Sequence, residues 1–420
     1  MKILIRKARI VDSNSPFNGH TKDILVENGR ISQIDSKIDV AADKIIEIDG
    51  LHASPGWMDP FAHFNDPGFE FKETLETGAQ AAAAGGYTHV FILPNTNPVI
   101  HGKSQVEYIK EKSRGLPVNI HPIGAVSKNA EGKELAEMYD MRTSGAIAFG
   151  DGLNSIQSAG VLLKALQYVR TFDGTVIQIP DDTSVGTYGL INEGIISTTL
   201  GLPGKPIVAE ELMVARDIKL ARYAESRLHF TAITSKKSLD YILRGKESGA
   251  KISCSVTPYH LFFSDEDLMQ YDTDLKVNPP LRTSKEKNEL LDAVKKGLVD
   301  CIATHHQPHE WDSKTCEFEH ARNGMIGLES SFSVLRSLGV DTETWVKLSA
   351  TNPRKIFGMP EVIIKEGSEA DLTLFDPEKI YRFEKNNIKS KSKNSPFVGR
   401  ELKGQVIGII NGEKLFTNQN

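Results

Sequence analysis

Eight short runs of β-branched and apolar residues, each followed by a helical or loop stretch, constrain the fold of this chain most. The runs begin near Phe61, Thr88, Val118, Ala146, Thr175, Leu228, Lys251 and Asp300. Helical patterns occupy residues 73–84, 105–114, 158–171, 210–224, 238–247 and 285–296. Most intervals are about 30 residues, the length of one strand-plus-helix unit. The sequence therefore predicts an α/β fold, a (β/α)8 TIM barrel, with a doubly wound open sheet as the alternative.

The two ends of the chain have a different pattern, alternating apolar and polar residues without helices. This pattern occurs at residues 2–5 near the start and at residues 405–410 near the end. Neither end has enough strands for its own core, so both are expected to share one small β domain. The predicted domains are residues 1–54 and 361–420, the two parts of the β domain, and residues 55–360, the barrel.

Charge and hydropathy exclude several classes of protein. The 50 Lys and Arg residues against 55 Asp and Glu give a net charge of 50 − 55 = −5, without a long run of either sign. An electrostatic nucleic-acid binder is therefore not expected. The chain lacks an uninterrupted apolar stretch of about 18 residues. The charged residues near its start interrupt the apolar run that a signal peptide would need. Three scattered cysteines do not suit a disulfide framework. We expect a soluble, cytoplasmic protein without nucleic-acid or membrane partners.

In a barrel of this type, chemistry is located where the strands end and the following loops begin. The predicted strand ends are residues 59–68, 94–98, 149–152, 178–182, 231–234, 257–260 and 303–309, with one more near Ser127. These segments contain most of the histidine, aspartate and asparagine residues that could form a site. We therefore expect the functional residues in these segments.

Several motifs at these ends carry a resemblance to a known family. They are Asp59…His63…Asp66-Pro67-Gly68…Lys72-Glu73, Pro94-Asn95-Thr96, Asn278-Pro279-Pro280-Leu281-Arg282, Ile302-Ala303-Thr304…Pro308-His309, Gly324-Met325-Ile326-Gly327-Leu328-Glu329 and Ala370-Asp371-Leu372. In this order the set resembles the dihydroorotases of the amidohydrolase superfamily over nearly the whole chain. The resemblance implies a (β/α)8 barrel with a small β-sandwich built from both chain ends. It also implies reversible closure of carbamoyl aspartate to dihydroorotate in pyrimidine biosynthesis, with one or two zinc ions in the barrel mouth.

The chain departs from the family at the zinc site. The resemblance places the site's positions, in chain order, on Phe61, His63, Asn65, Asp151, Ile179, Ala232 and His305. Active members carry His-x-His-x-Arg at the first three, an acidic ligand at the fourth, histidines at the next two and an aspartate base at the last. Isoleucine and alanine have no lone pair for a metal, so two zinc ions cannot be held. We expect no metal, or at most one zinc ion on His63, Asp151 and His305.

Three further residues match family positions that contact substrate, namely Asn95, Asn278 and His309. Each of the two asparagines is adjacent to a proline in the sequence, a pattern typical of turns. Asp151 before Gly152 could shape a turn, His63 could be a hydrogen-bonded core residue, and Arg282 could anchor a loop instead of binding an anion. Ligand contact and a structural role both remain open at these positions.

Three functions follow from these observations. The expected one is a non-catalytic structural or regulatory subunit that partners aspartate carbamoyltransferase, as some members of the family do, in a homo-oligomer or a mixed assembly. The alternative is an active dihydroorotase or cyclic amidohydrolase with a reduced single-zinc site, in which His305 takes the position of the general base. A third is a protein that binds a pathway metabolite without turning it over, which the loss of the arginine at Asn65 weakens.

Overall fold

The computed structural model describes residues 1–418. The first strands are β1 (Lys2–Ile10), β2 (Thr21–Glu27), β3 (Arg30–Asp35), β4 (Lys44–Ile46) and β5 (His52–Pro55). The central strands are β6 (Trp57–Ala62), β7 (Tyr87–Ile92), β8 (Asn119–Gly124), β9 (Ala148–Phe149), β10 (Thr175–Gln178), β11 (Ile191–Asn192), β12 (Gly204–Lys205), β13 (Arg227–Phe230), β14 (Ile252–Val256) and β15 (Cys301–Ile302). The last strands are β16 (Asp371–Arg382), β17 (Glu401–Asn411) and β18 (Lys414–Thr417).

Eight of the central strands form a nearly closed parallel barrel. Their order is β6-β7-β8-β9-β10-β13-β14-β15, and each strand is parallel to the next. A parallel bridge between Ala62 and His306 joins the end of β6 to the segment after β15. The predicted (β/α)8 barrel is therefore confirmed, and the alternative of an open, doubly wound sheet is wrong.

Helices follow the barrel strands where the amphipathic stretches predict them. They are α1 (Leu75–Ala84), α2 (Lys103–Lys112), α3 (Met138–Thr143), α4 (Ala159–Arg170), α5 (Ile195–Leu200), α6 (Val208–Ala224), α7 (Lys236–Glu247), α8 (Pro258–Phe262), α9 (Ser284–Lys295), α10 (Ser331–Ser337), α11 (Thr342–Val346) and α12 (Asn352–Ile356). The six predicted helices agree with α1, α2, α4, α6, α7 and α9 to within two residues at each end. Within the described residues, no helix is long and apolar enough to cross a membrane.

Strands from both chain ends form one mixed sheet, as predicted. Its order is β18-β17-β16-β5-β1-β2-β3, with β4 beside β1. Strand β5 joins the two ends, because it is parallel to β1 and antiparallel to β16. A separate apolar core, which includes Ile3, Ile24 and Leu372, lies on this sheet. The domain boundaries at residues 54/55 and 360/361 stay a prediction.

A buried polar cluster connects this sheet to the barrel. Asp371 Oδ2 on β16 accepts a hydrogen bond from Arg354 Nη2 at 2.6 Å and lies 3.2 Å from His89 Nε2 on β7. His89 Nδ1 is in turn 3.0 Å from His121 Nε2 on β8. Burial acts to raise the pKa of Asp371, but Arg354 and His89 together outweigh it and hold the pKa well below its usual range. Asp371 is therefore an ionised, buried link between the two sheets.

Two long excursions build the rim of the barrel mouth. One follows β10 and contains β11, β12 and α5 before α6 begins. The other follows β14 and contains α8 and two short 3₁₀ turns before α9. They account for the two longest intervals in the sequence pattern. Because both follow the carboxyl ends of strands, they lie on the side of the barrel where the resemblance places the site.

Candidate active site at the barrel mouth

Apolar side chains, most of them from strands β6 to β10, fill that part of the barrel interior up to the level of the mouth. Phe61 and Ile179 belong to one buried cluster with Met58, Phe91 and Ile177. Phe61 is only 1% exposed and Ile179 only 2%. Methyl, methylene and phenyl groups cannot donate electron pairs to a metal ion. Two of the positions that correspond to family zinc ligands are thus part of the hydrophobic core.

The backbone is unusual at three of the corresponding positions. Asn65, Ala232 and His305 have φ angles of 61°, 56° and 47°. Residues other than glycine rarely adopt this left-handed conformation, which costs about 1–3 kcal/mol and is concentrated at functional sites. The ends of three strands therefore have a strained backbone at the mouth.

His63 is engaged with the neighbouring strand end. Its Nε2 lies 2.9 Å from the backbone carbonyl oxygen of Asn95, to which an Nε2–H group can donate. Burial lowers the pKa of His63 to about 4, and the hydrogen bond to Asn95 only partly offsets it. His63 is therefore neutral near pH 7, and its Nε2 is committed to a backbone acceptor.

Asp151 organises the loop after β8. Its Oδ1 accepts the Ser127 backbone N–H at 2.9 Å, and its Oδ2 accepts the Ser127 hydroxyl at 2.5 Å. Burial raises the pKa of Asp151, while these hydrogen bonds act in the opposite direction. These contacts join the loop after β9 to the loop after β8, and the Asn154 N–H donates to the Asp151 carbonyl at 3.1 Å, which agrees with a turn at Asp151.

His305 and His306 point in different directions, as expected for adjacent residues at a strand end. His305 is fully buried, its ring stacks on Phe61 with 4.2 Å between centroids, and its Nε2 lies 2.7 Å from Thr231 Oγ1. His306 Nδ1 accepts the Gly327 N–H at 3.2 Å, and its Nε2 lies 3.5 Å from Glu73 Oε2. The two imidazoles therefore do not converge on one ion.

These residues do not fit a zinc ion. His63, Asp151 and His305 are held by three separate sets of partners. Among residues 1–418, no group of three or more His, Cys, Asp or Glu side chains is arranged to hold a metal. A catalytic zinc site needs about three such ligands and an open position for water. The zinc chemistry that the resemblance implies has no ligand set in this structure.

Two of the predicted substrate-binding residues, Asn95 and His309, hold loops through hydrogen bonds. The Asn95 side chain donates to the Asp151 carbonyl at 3.1 Å and accepts from the Leu153 N–H at 2.9 Å. His309 Nε2 lies 2.8 Å from the Asn323 carbonyl, while its buried Nδ1 has no partner within the described residues. Burial lowers the pKa of His309 to about 3, so this ring is neutral. Ligand contact by either residue stays a prediction.

The third predicted substrate residue, Asn278, lines an open cleft of about 730 Å³ beside the first excursion. Lys205 Nζ lies 2.5 Å from Asp181 Oδ2 and 2.9 Å from Asn278 Oδ1. Asn278 Nδ2 also donates to Asp181 Oδ2 at 3.2 Å. The sequence does not reveal this triad, because Lys205 reaches the site from β12 and no motif places it beside the end of β10. The one signal for it in the sequence is that Lys205 is the only basic residue among residues 179–207.

Arg282 is a loop anchor, one of the two roles left open by the sequence. It is only 4% exposed, and it donates to Thr234 Oγ1 at 2.9 Å and to Asn192 Oδ1 at 3.0 Å. Its Nη2 also lies 3.8 Å from Glu210 Oε2. These contacts join the two excursions and leave the guanidinium turned away from solvent.

Comparison with known proteins agrees with this architecture. Residues 52–238 match the family model described as "Dihydro-orotase-like". The chain is 40% identical to a dihydroorotase of Thermoanaerobacter sp. over 98% of this chain and 97% of that protein. It is 38% identical to a dihydroorotase of Acetivibrio thermocellus over 98% of both chains. The L-hydantoinase (dihydropyrimidinase) of Arthrobacter aurescens shares the fold, with a TM-score of 0.87 at 22% identity over 99% of this chain and 96% of that one. The chain belongs to the dihydroorotase family of the amidohydrolase superfamily.

Proposed function

We propose that this chain is a dihydroorotase-family protein of pyrimidine biosynthesis that has lost zinc-dependent catalysis. The observation that carries the proposal is the apolar packing of Phe61, Ile179 and Ala232 where active members supply metal ligands. The polar residues that remain, His63 and Asp151, are hydrogen-bonded into loops instead of facing a common point. The mouth therefore lacks the groups that would hold a metal and activate water.

The energetics of the reaction support a non-catalytic role. Enzymes commonly lower activation barriers by about 8–23 kcal/mol. One well-placed general base contributes a factor of about 10²–10⁴, which is about 3–5 kcal/mol. His305 at the family's base position could supply no more than that share. Without a metal to polarise the amide carbonyl, the described residues of the mouth offer no source for the rest of the transition-state stabilisation.

The role proposed for the chain is that of a structural or regulatory subunit of aspartate carbamoyltransferase. The resemblance supports this partner, because some non-catalytic members of the family associate with that enzyme. Two large apolar side chains on the first excursion, Tyr188 and Ile195, are 82% and 84% exposed. Exposed apolar side chains of this size suit a protein contact. A homo-oligomer is proposed on the same grounds.

A second candidate function is an active dihydroorotase with a single zinc ion. The observation in its favour is the high identity, over nearly the whole chain, to relatives named dihydroorotase. Zinc would then have to bind His63, Asp151 and His305. His63 could use Nδ1, because only its Nε2 is held by the Asn95 carbonyl, but Asp151 and His305 are engaged with Ser127 and Thr231 respectively, and within residues 1–418 the three are not grouped around a common point. The packing therefore favours the non-catalytic role.

Co-elution tests the subunit role. The protein is mixed with aspartate carbamoyltransferase of the same organism at low salt and passed over a size-exclusion column with light-scattering detection. We expect one peak whose mass equals a complex of the two proteins. A mixture in which each protein elutes with its own mass would overturn the proposed partnership. A mixture of this protein with bovine serum albumin, run in the same way, is the control for non-specific association.

A further inference from the structure

Two imidazoles and three hydroxyls form a continuous row of hydrogen bonds inside the barrel. Ser253 Oγ lies 2.8 Å from His229 Nδ1, and His229 Nε2 lies 3.1 Å from Ser255 Oγ. The Ser255 hydroxyl donates to Thr231 Oγ1 at 2.9 Å, and Thr231 Oγ1 lies 2.7 Å from His305 Nε2. We call these five residues the interior row.

The strand register explains why these side chains meet. Strands β13 and β14 are parallel neighbours, with His229 opposite Ser253. Alternate residues of a strand point to the same face, so Ser253 and Ser255 share one face, as do His229 and Thr231. Ser253 is half-buried and lines a groove of about 410 Å³ at the opposite end of the barrel from the mouth. The other four residues are buried, so the row runs from that groove to the mouth.

The direction of one hydrogen bond determines the others. A hydroxyl has one proton, so Ser255, which donates to Thr231, must accept from His229 Nε2–H. A neutral imidazole with its proton on Nε2 accepts at Nδ1, where the Ser253 hydroxyl lies. Thr231 Oγ1 accepts from Ser255, and within residues 1–418 the acceptor available for its own proton is His305 Nε2, so Thr231 donates there.

The hydrogen bonds give each imidazole one bare nitrogen, Nδ1 of His229 and Nε2 of His305, and burial acts in the same direction. Burial lowers the pKa of His229 to about 3 and holds the pKa of His305 well below its ordinary value. Each ring therefore carries one proton near pH 7. For His305, the nitrogen that accepts from Thr231 cannot be the protonated one, so the proton resides on Nδ1.

We propose that the interior row holds His305 as the tautomer protonated at Nδ1, with Thr231 as its positioning residue. The lone pair with which the ring could bind a metal ion or accept a proton is then on Nε2. This lone pair already accepts the hydrogen bond from Thr231. Nδ1 has no acceptor within the described part of the protein. His305 therefore holds a buried N–H donor, whose partner would have to be an enclosed water molecule or a carbonyl oxygen. The inference rests on the proposed function in one respect, namely that no metal occupies the mouth.

Nuclear magnetic resonance of the full-length protein tests this assignment. Long-range ¹H–¹⁵N correlation of ¹⁵N-histidine-labelled protein distinguishes the two neutral tautomers, because the protonated and bare ring nitrogens differ widely in chemical shift. Spectra of His305→Gln and His229→Gln assign the two rings. We expect the Nδ1–H pattern for His305 and the Nε2–H pattern for His229 at pH 7. An Nε2–H pattern for His305 in the unaltered protein would overturn the proposal.

Thr231→Val separates positioning from packing. The substitution keeps the shape and removes the hydroxyl, so His305 should lose its fixed tautomer and show a mixture. Thr175→Val is the matched control, because its hydroxyl lies on neighbouring β10 and, within residues 1–418, reaches only the Ile356 carbonyl, at 3.5 Å. An unchanged His305 pattern in Thr231→Val would contradict the positioning role. If this variant does not fold, the tautomer in the unaltered protein still decides the proposal. Zinc content and turnover are measured separately, so failure of the proposed function would be recognised independently.

Discussion

The variant that combines Phe61→His, Asn65→Arg, Ile179→His, Ala232→His and His305→Asp is expected to bind zinc, about one equivalent or more. The five changes restore the residues that active members carry, and His63 and Asp151 are already present. The barrel itself needs no change, because its eight parallel strands place these five positions at the mouth. Elemental analysis of the purified variant measures the result.

The stability of this variant should depend strongly on zinc. A buried imidazole without a partner costs about 1–3 kcal/mol, so the metal-free variant is expected to unfold at a lower temperature than the unaltered protein. Binding of zinc to a folded site can contribute about 10 kcal/mol, enough to reverse that loss. A control with Phe61→Gln, Ile179→Gln and Ala232→Gln adds polarity without imidazoles. If the five-residue variant shows no zinc-dependent rise in melting temperature, the loss of metal binding does not reside in these positions.

Arg354→Met is expected to destabilise the protein by about 3–5 kcal/mol, the cost of leaving one member of a buried ion pair unpaired. The substitution removes the only guanidinium that contacts Asp371 among the described residues and leaves this carboxylate with His89. Chemical denaturation at pH 7 measures the change. Arg382→Met is the matched control, because the Arg382–Glu384 pair is largely exposed and should contribute about 0–1 kcal/mol.

The destabilisation by Arg354→Met should also depend on pH. Because the folded protein lowers the pKa of Asp371, the ion pair stabilises the fold above the unfolded pKa of about 4, and this contribution decreases as the pH falls below it. The difference between the two proteins should therefore shrink in acid. A difference that is below about 1 kcal/mol at pH 7, or that grows on acidification, would show that the pair does not link the sheet to the barrel.

Much of the fold could be predicted from local patterns in the sequence. Buried parallel strands require apolar runs, and all eight predicted runs correspond to barrel strands, even where β9 and β15 contain only two residues each. The helices followed from their amphipathic spacing, although the predicted helix over 73–84 begins before Thr74, the residue that caps α1. Strand pairing between the two chain ends followed because neither end could bury its apolar face alone.

The candidate site was predictable only as a set of positions. Which atoms His63 and Asp151 contact depends on the paths of the loops after β7 and β8, and these paths are not encoded in local periodicity. The Lys205–Asp181–Asn278 triad joins three distant segments and needs the excursion to fold back on the mouth. The interior row depends on the register of β13 against β14, which the sequence pattern does not specify to a single residue.

The most direct test of the central claim is the zinc content of the unaltered protein, purified without chelators and measured together with dihydroorotate hydrolysis on the same sample. A dihydroorotase relative with a complete ligand set, purified in parallel, is the positive control. We expect less than about a tenth of an equivalent of zinc and no turnover. About one equivalent of zinc with turnover would show that His63, Asp151 and His305 form a working site, and would contradict the loss of metal chemistry.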